Sequence, residues 1–345
     1  MKGRIIPYLL SFKQAVGTSR GSLTEKLTYF IHLQDEQGNE GIGECGVFPG
    51  LSAEYGPGYQ SVLARSLEDW KRGTLNLQDL RAYPSILMGW ETALKNLSFA
   101  ITGKVFESDF LNGKAIKING LVWMGTEKFM AEQIAQKIEQ GFDCIKMKIG
   151  AIDWETELKI LKGIRARFSA DEIALRVDAN GAFMPEEAMK KLDALAALNV
   201  HSIEQPITQG QYKVMAELCK NSPIPIALDE ELIGVHSLTK KKEILAEIAP
   251  SYIILKPSLV GGFSGCDEWI SLAEERHIDW WATSALESNI GLNAIAQWTS
   301  TKQPILPQGL GTGSLFSNNI ASPLEVDKGF LKYDSETSWN LDLIQ

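Results

Sequence analysis

Five ionisable residues in this chain stand about one structural repeat apart. Lys148, Asp178, Glu204, Asp229 and Lys256 follow one another at intervals of 30, 26, 25 and 27 residues. Each ends a short apolar run of β character. If the runs lie side by side, the residues meet at one end of a sheet. Three carboxylates gathered there would repel by ~4 kcal/mol per pair at about 4 Å, with an effective dielectric near 20. A cation resolves that cost. Asp178, Glu204 and Asp229 offer only oxygen, which favours a hard divalent ion, Mg²⁺ or with the same ligands Mn²⁺, over zinc. The ion and the two lysines leave a cationic cleft, suited to a small anionic carboxylate substrate. Lys146 shares a strand face with Lys148, and Arg176 and Asn180 share one with Asp178, because strand side chains alternate. Burial and neighbouring positive charge would lower Lys148 from ~10.4, toward a range where a neutral amine can take a proton. A carbon acid beside a carboxylate becomes accessible to such a base once a metal ion offsets the developing charge.

The elements that must position these groups are legible as a repeat. Strand-like starts fall near Lys117, Cys144, Ala174, Ser202, Ile226, Tyr252, Trp280 and Ile305, about 27 residues apart. Amphipathic stretches such as "TEKFMAEQIAQKIEQGF" and "PEEAMKKLDALAAL" lie between them. Eight βα units of this length predict an α/β fold, a modified (β/α)₈ TIM-type barrel, over residues 113–320, with active-site residues at the carboxyl ends of its strands. Residues 1–112 read as a separate α+β capping domain. It has a hairpin turning at Gln37 and Gly38, two helices, and glycine-rich loops "AVGTSRGS" and "FPGLSAEYGPG" placed to cover a mouth. Residues 321–345 form a C-terminal segment whose end can return to the cap.

Composition narrows the partners. The chain has 345 residues and a formal charge of −9 with no polybasic tract, which argues against nucleic acid and anionic lipid as ligands. No apolar run approaches the ~18 residues of a membrane span, and the amino-terminal stretch lacks the form of a signal peptide, so a cytoplasmic location is expected. The four cysteines and four histidines are scattered without metal-ligand or disulfide spacing.

With its strand-two and strand-six lysines around an Asp, Glu, Asp series, the chain resembles the enolase superfamily, and within it the muconate-lactonizing subgroup. Mandelate racemase relatives place a histidine at strand seven, where "WWATSALES" has none; enolase proper has a carboxylate where Lys148 stands. The stretches "SALESNIGLNAIAQW" and "QGLGTGSLFSNN" are similar to the branch of menaquinone biosynthesis that dehydrates a succinylated hydroxycyclohexadiene carboxylate. Dipeptide epimerases of the subgroup carry Asp-x-Asp at strand eight, and residues 305–316 contain no acid. N-acylamino acid racemases and dipeptide epimerases remain the alternative.

The resemblance implies that Asp178, Glu204 and Asp229 bind Mg²⁺. It implies that Lys148 abstracts an α-proton and then protonates the leaving hydroxyl, while Lys256 stabilises an enediolate. Lys146 is expected to lower the pKa of Lys148 and touch the carboxylate. Arg176 and Asn180 are expected around the metal ligands, with Glu230 orienting Lys256. Ser284 and the Gly309 to Gly313 loop are candidates for the succinyl tail, and Ser19 and Arg20 for closing over the substrate. A homo-oligomer is compatible with all of this.

Overall fold

The computed structural model describes residues 2–18 and 21–344. The cap begins with an antiparallel sheet of β1 (Lys2–Thr18), β2 (Gly21–Gln34) and β3 (Glu40–Cys45), in that order. The Asp35 carboxylate holds the β2 to β3 turn by accepting from the amides of Gln37 and Asn39, and Gly38 takes φ +87° there. The stretch expected to be a loop around residues 15–22 is instead largely strand: Val16, Gly17 and Thr18 pair with Leu23, Ser22 and Gly21. Cross-strand pairing satisfies the backbone and overrides the poor β-propensity of glycine. Ser19 and Arg20 lie outside the described residues.

Helices α1 (Tyr59–Lys71) and α2 (Pro84–Phe99) cover one face of this sheet around Ile31, Leu33, Leu63, Trp70 and Trp90. Burying each of the two tryptophans and the aliphatic side chains stabilises the cap by ~1.5–3 kcal/mol. Gly43 permits the close approach of α2, since a Cβ there would stand 1.9 Å from the carbonyl oxygen of Gly89.

After β4 (Ile116–Lys117) the chain builds a parallel sheet of β5 (Gly120–Val122), β6 (Cys144–Lys148), β7 (Ala174–Asp178), β8 (Ser202–Glu204), β9 (Ile226–Leu228), β10 (Tyr252–Leu255) and β11 (Asp279–Ala282), paired in chain order. Around it lie α3 (Glu127–Glu139), α4 (Trp154–Arg165), α5 (Pro185–Ala196), α6 (Tyr212–Asn221), α7 (Leu238–Ile248), the short α8 (Pro257–Val260), α9 (Gly262–Glu274) and α10 (Asn289–Thr301). Local signals set their ends. Thr126 and Asp153 accept from the first turns of α3 and α4, Pro185 opens α5, and Gly141 follows α3 at φ +80°. Strand alternation separates two layers. Met147, Leu175, Val177, Ile203, Leu228 and Leu255 join the core shared with the helices, whereas Ala227, Ile254 and Trp281 form a distinct inner cluster.

The first and eighth barrel positions differ from expectation. Ile116 and Lys117 pair away from the barrel with β13 (Phe330–Tyr333), itself paired to β12 (Leu324–Asp327), so the first barrel strand is β5. The run from Ile305 forms no strand of its own: Ile305 is exposed, and Pro304 and Pro307 have no N–H to donate. Gln308 and Gly309 bridge the gap. The Asn119 amide donates to Gln308 O at 2.9 Å, and the Gly309 amide to Ala282 O at 2.8 Å, which closes the ring.

The C-terminal stretch returns to the cap. Ile344 packs with Phe30 and Ile42 of the cap sheet and with Ile290 and Ile320, and Arg4 donates to the Ile344 carbonyl. Among the described residues no helix is long and apolar enough to cross a membrane, and all four cysteines are free.

Candidate active site

Parallel register brings the strand-end residues level. Lys148 is paired with Asp178, and Asp178 with Glu204, so each step to the next strand of the ring brings the next of these residues. Asp229 and Lys256 follow the last residues of β9 and β10. Asp178, Glu204 and Asp229 are all buried, and one oxygen from each lies within 4.8 Å of the others.

Three ammonium groups face these acids. Lys146 Nζ donates to Glu204 Oε2 in a very short contact and lies 3.0 Å from Asp178 Oδ2. Lys148 Nζ is 3.1 Å from Asp178 Oδ2 and donates to Asn180 Oδ1 at 2.6 Å. Lys256 Nζ donates to Asp229 Oδ2 at 2.5 Å. The opposing charges set the titration. Burial would push Asp178 up, but Lys146, Lys148 and Lys256 together hold it far below the carboxylate range. Burial dominates at Glu204, which is pushed up to about 7; repulsion from Asp178 and Asp229 adds to this and Lys146 opposes it. Lys146 and Lys256 are both raised, since attraction to the acids outweighs the burial that would lower them.

The acid trio fits a divalent cation. Its donors are all hard oxygens, and Glu204 Oε1 is buried with no hydrogen-bond partner from the chain. Such an atom is costly to leave unpaired and is well placed to ligate an ion.

Other expected residues are found in roles that differ in part. Asn180, at φ +44°, donates its amide N–H to Asp178 Oδ1 and its Nδ2 to Glu230 Oε1, so it ties Lys148 to two acids. Glu230 was expected to orient Lys256. It accepts from Asn180 Nδ2, and its charge acts to raise Lys256. Burial first, then the Asp229 charge, pushes Glu230 up to about 6. Lys146 bridges the acids Asp178 and Glu204 and also lines the cavity above them. Arg176 points to the barrel floor rather than the metal ligands: it lies two residues before Asp178, donates to Pro307 O at 2.8 Å and stacks on Trp281 at 4.0 Å. The Ser284 hydroxyl is engaged within its own turn. It donates to Glu287 Oε2 at 2.6 Å and accepts from the Leu286 and Glu287 amides, while the residue lines the cavity above the ring.

Above the ring is a cavity of about 690 Å³ lined by Lys146, Lys148, Asp178 and Lys256. Phe48 and Leu51, from the cap segment after β3, line it too, as does the wall from Gly309 to Gly313. A small carboxylate ligand suits a site of this size with Lys146, Lys148 and Lys256 on its wall.

Gln205 escaped the sequence reading. It is fully buried at φ +38°, next to Glu204. Its Oε1 accepts from the Asp229 and Glu231 amides, and its Nε2 donates to Glu231 Oε2 and Ile207 O. The side chain therefore fixes the end of β9 against the end of β8, where two of the three acids sit. Its only sequence signal is its position one residue past a strand-end acid. Gln205→Leu removes the acceptor for two buried amides, at ~1–3 kcal/mol each. Mn²⁺ affinity, followed by electron paramagnetic resonance, should fall by about tenfold or more; unchanged affinity in a folded variant would remove Gln205 from the site's architecture.

A barrel ring with carboxylates at three successive strand ends and lysines at the second and sixth positions defines a class. The chain belongs to the family described as enolase C-terminal domain-like, which matches residues 129–336. Among its relatives is o-succinylbenzoate synthase of Desulfotalea psychrophila, 46% identical over 93% of this chain and 96% of that protein. The crystal structure of MenC from that organism superposes with a TM-score of 0.80 at 42% identity, covering 96% of this chain and 99% of that one. The fold is shared more widely. A substrate-liganded L-Ala-D/L-Glu epimerase from Bacillus subtilis gives a TM-score of 0.81 at 17% identity, covering 96% of each chain.

Proposed function

We propose that the chain is an o-succinylbenzoate synthase. This hydro-lyase removes water from 2-succinyl-6-hydroxy-2,4-cyclohexadiene-1-carboxylate to give 2-succinylbenzoate, a step of menaquinone biosynthesis in the cytoplasm. The observation that carries the reading is the pair Lys148 and Lys256, half a barrel apart in strand order, with the acid trio on the strands between them.

Asp178, Glu204 and Asp229 would hold Mg²⁺ or Mn²⁺, which supplies positive charge to the ring carboxylate as its α-carbon loses a proton. Lys148, as the amine, takes that α-proton, and the C–H pair of electrons moves toward the carboxylate as the enediolate before it forms the new ring double bond and expels the hydroxyl. Now an ammonium, Lys148 returns the proton to the hydroxyl leaving from the same face, so the C–O bond breaks and water departs in a syn sense. Asn180 holds Lys148 on that face through its Oδ1, and the Glu230 contact fixes which way the Asn180 amide points. Lys256 keeps its charge, anchored by Asp229, and offsets the negative charge of the enediolate. Aromatisation supplies much of the driving force, so positioning and charge are what the protein must add.

Two opposed lysines also suit a 1,1-proton transfer, as in a racemase or epimerase of the same subgroup. The wall from Gly309 to Gly313 carries no carboxylate to anchor a substrate ammonium, which favours the dehydration. Incubation with the cyclohexadiene and Mg²⁺ should abolish its diene absorbance and yield the aromatic product. EDTA should stop the reaction and Mg²⁺ restore it. Racemisation of an N-acylamino acid without any dehydration would overturn the assignment.

A further inference from the structure

A second buried group of charges lies between the cap and the barrel, outside the acid trio. Lys26 of β2, Glu44 of β3 and Glu287, five residues past the end of β11, are all buried. Glu44 accepts from Thr28 Oγ1, from both the amide and hydroxyl of Ser288, and from the Gly291 amide, so it fastens the start of α10 to the cap sheet. Glu287 accepts from Ser284 Oγ at 2.6 Å and from Ser258 Oγ at 2.5 Å, the latter two residues beyond Lys256.

Lys26 is aimed differently. Its Nζ donates to the Leu286 carbonyl at 2.8 Å. Burial lowers its pKa, while Glu287 and Glu44 oppose that shift from further off. Leu286 lines the catalytic cavity and sits at φ +63°, a left-handed conformation that strains a leucine. Both of its backbone polar groups are held: the N–H by Ser284 Oγ, the C=O by Lys26. The chain of contacts runs unbroken from a cap strand, through the cavity wall at Ser284 and Leu286, to Glu287 and to Ser258 beside Lys256.

We infer that Lys26 is a positioning residue through which the cap sets the cavity wall at Ser284 to Leu286, and with it how tightly the substrate is held. This rests on the proposed dehydration as the reaction being read. The wall meets the substrate, whereas the acid trio and Lys148 lie on other strands. Loss of Lys26 therefore weakens substrate binding and leaves the ion site as it was.

Lys26→Met keeps the length and removes the ammonium. With the cyclohexadiene substrate, KM should rise about tenfold while kcat stays within about threefold, and Mn²⁺ affinity should not change. A merely structural role would lower the thermal midpoint and the active fraction, which reduces apparent kcat without moving KM. Should the variant fail to fold, Ser258→Ala removes one hydroxyl from Glu287 with the cap untouched, and a KM rise of about threefold is expected. An unchanged KM in folded Lys26→Met, or in Ser258→Ala if that must stand in, overturns the inference. Wild-type protein that turns over no cyclohexadiene instead overturns the reaction it rests on.

Discussion

Lys148→Met is expected to lower kcat for dehydration by about 10⁴-fold, because one side chain is asked both to take the α-proton and to deliver a proton to the leaving hydroxyl. A positioned acid or base contributes ~10²–10⁴-fold to a single proton transfer, and here two transfers depend on the same nitrogen. The variant should still bind the divalent ion. Lys148 Nζ lies 3.1 Å from Asp178 Oδ2, so its ammonium competes with a cation for that oxygen. Removing it should hold Mn²⁺ affinity steady or raise it. The measurement pairs the loss of diene absorbance with Mn²⁺ titration by electron paramagnetic resonance. A variant that kept more than about a tenth of wild-type turnover would exclude Lys148 as the base.

Lys146→Met should have the largest effect on stability. Lys146 is buried against two buried carboxylates, and breaking a buried pair by removing one partner costs ~3–5 kcal/mol, since the acids are left to repel each other. The pH sense follows from the direction of the shift. Burial is the largest single contribution and would lower Lys146, but the combined attraction to Asp178, Glu204 and Asp229 outweighs it and raises the lysine above its ordinary 10.5. A raised lysine gives its full stabilisation below that ordinary value and loses it only as pH rises through the folded value. The deficit in the variant is therefore complete at neutral pH. Divalent ions should recover part of it by supplying the missing positive charge and by binding the folded state alone. Urea midpoints of both proteins in EDTA and in Mg²⁺ check this; equal midpoints in EDTA would mean that Lys146 does not balance the acids.

The parts of this arrangement most visible in the sequence are those governed by short-range periodicity. Asp178, Glu204, Asp229 and Lys256 were legible because each follows an apolar residue that must face the helices, at a spacing set by one strand and one helix. What escaped depended on partners far away in the chain. Arg176 has the same inward register as Asp178, yet its destination is fixed by Pro307 and Trp281, more than a hundred residues on. The contact of the Ser284 hydroxyl escaped because nothing in its neighbourhood announces that Glu287 will turn back upon it. Lys26 sits in an alternating strand pattern, where a lysine ordinarily reads as solvated; only the barrel loop packed against that face makes it buried. The eighth strand failed for the opposite reason. Its apolar residues suggested pairing, while two prolines withdrew the donors that pairing requires.

The layer in which Phe30 and Ile42 meet Ile290, Ile320 and Ile344 also bears on how the molecule comes to be made. Its two sides are separated in the polypeptide by 248 to 314 positions, with most of the barrel between them. A ribosome releases the cap strands long before it has produced the residues that cover them. Until then Phe30 and Ile42 are bare, and the entropy of closing so long a loop delays their covering further. The newborn cap thus waits, half dressed, for its own tail.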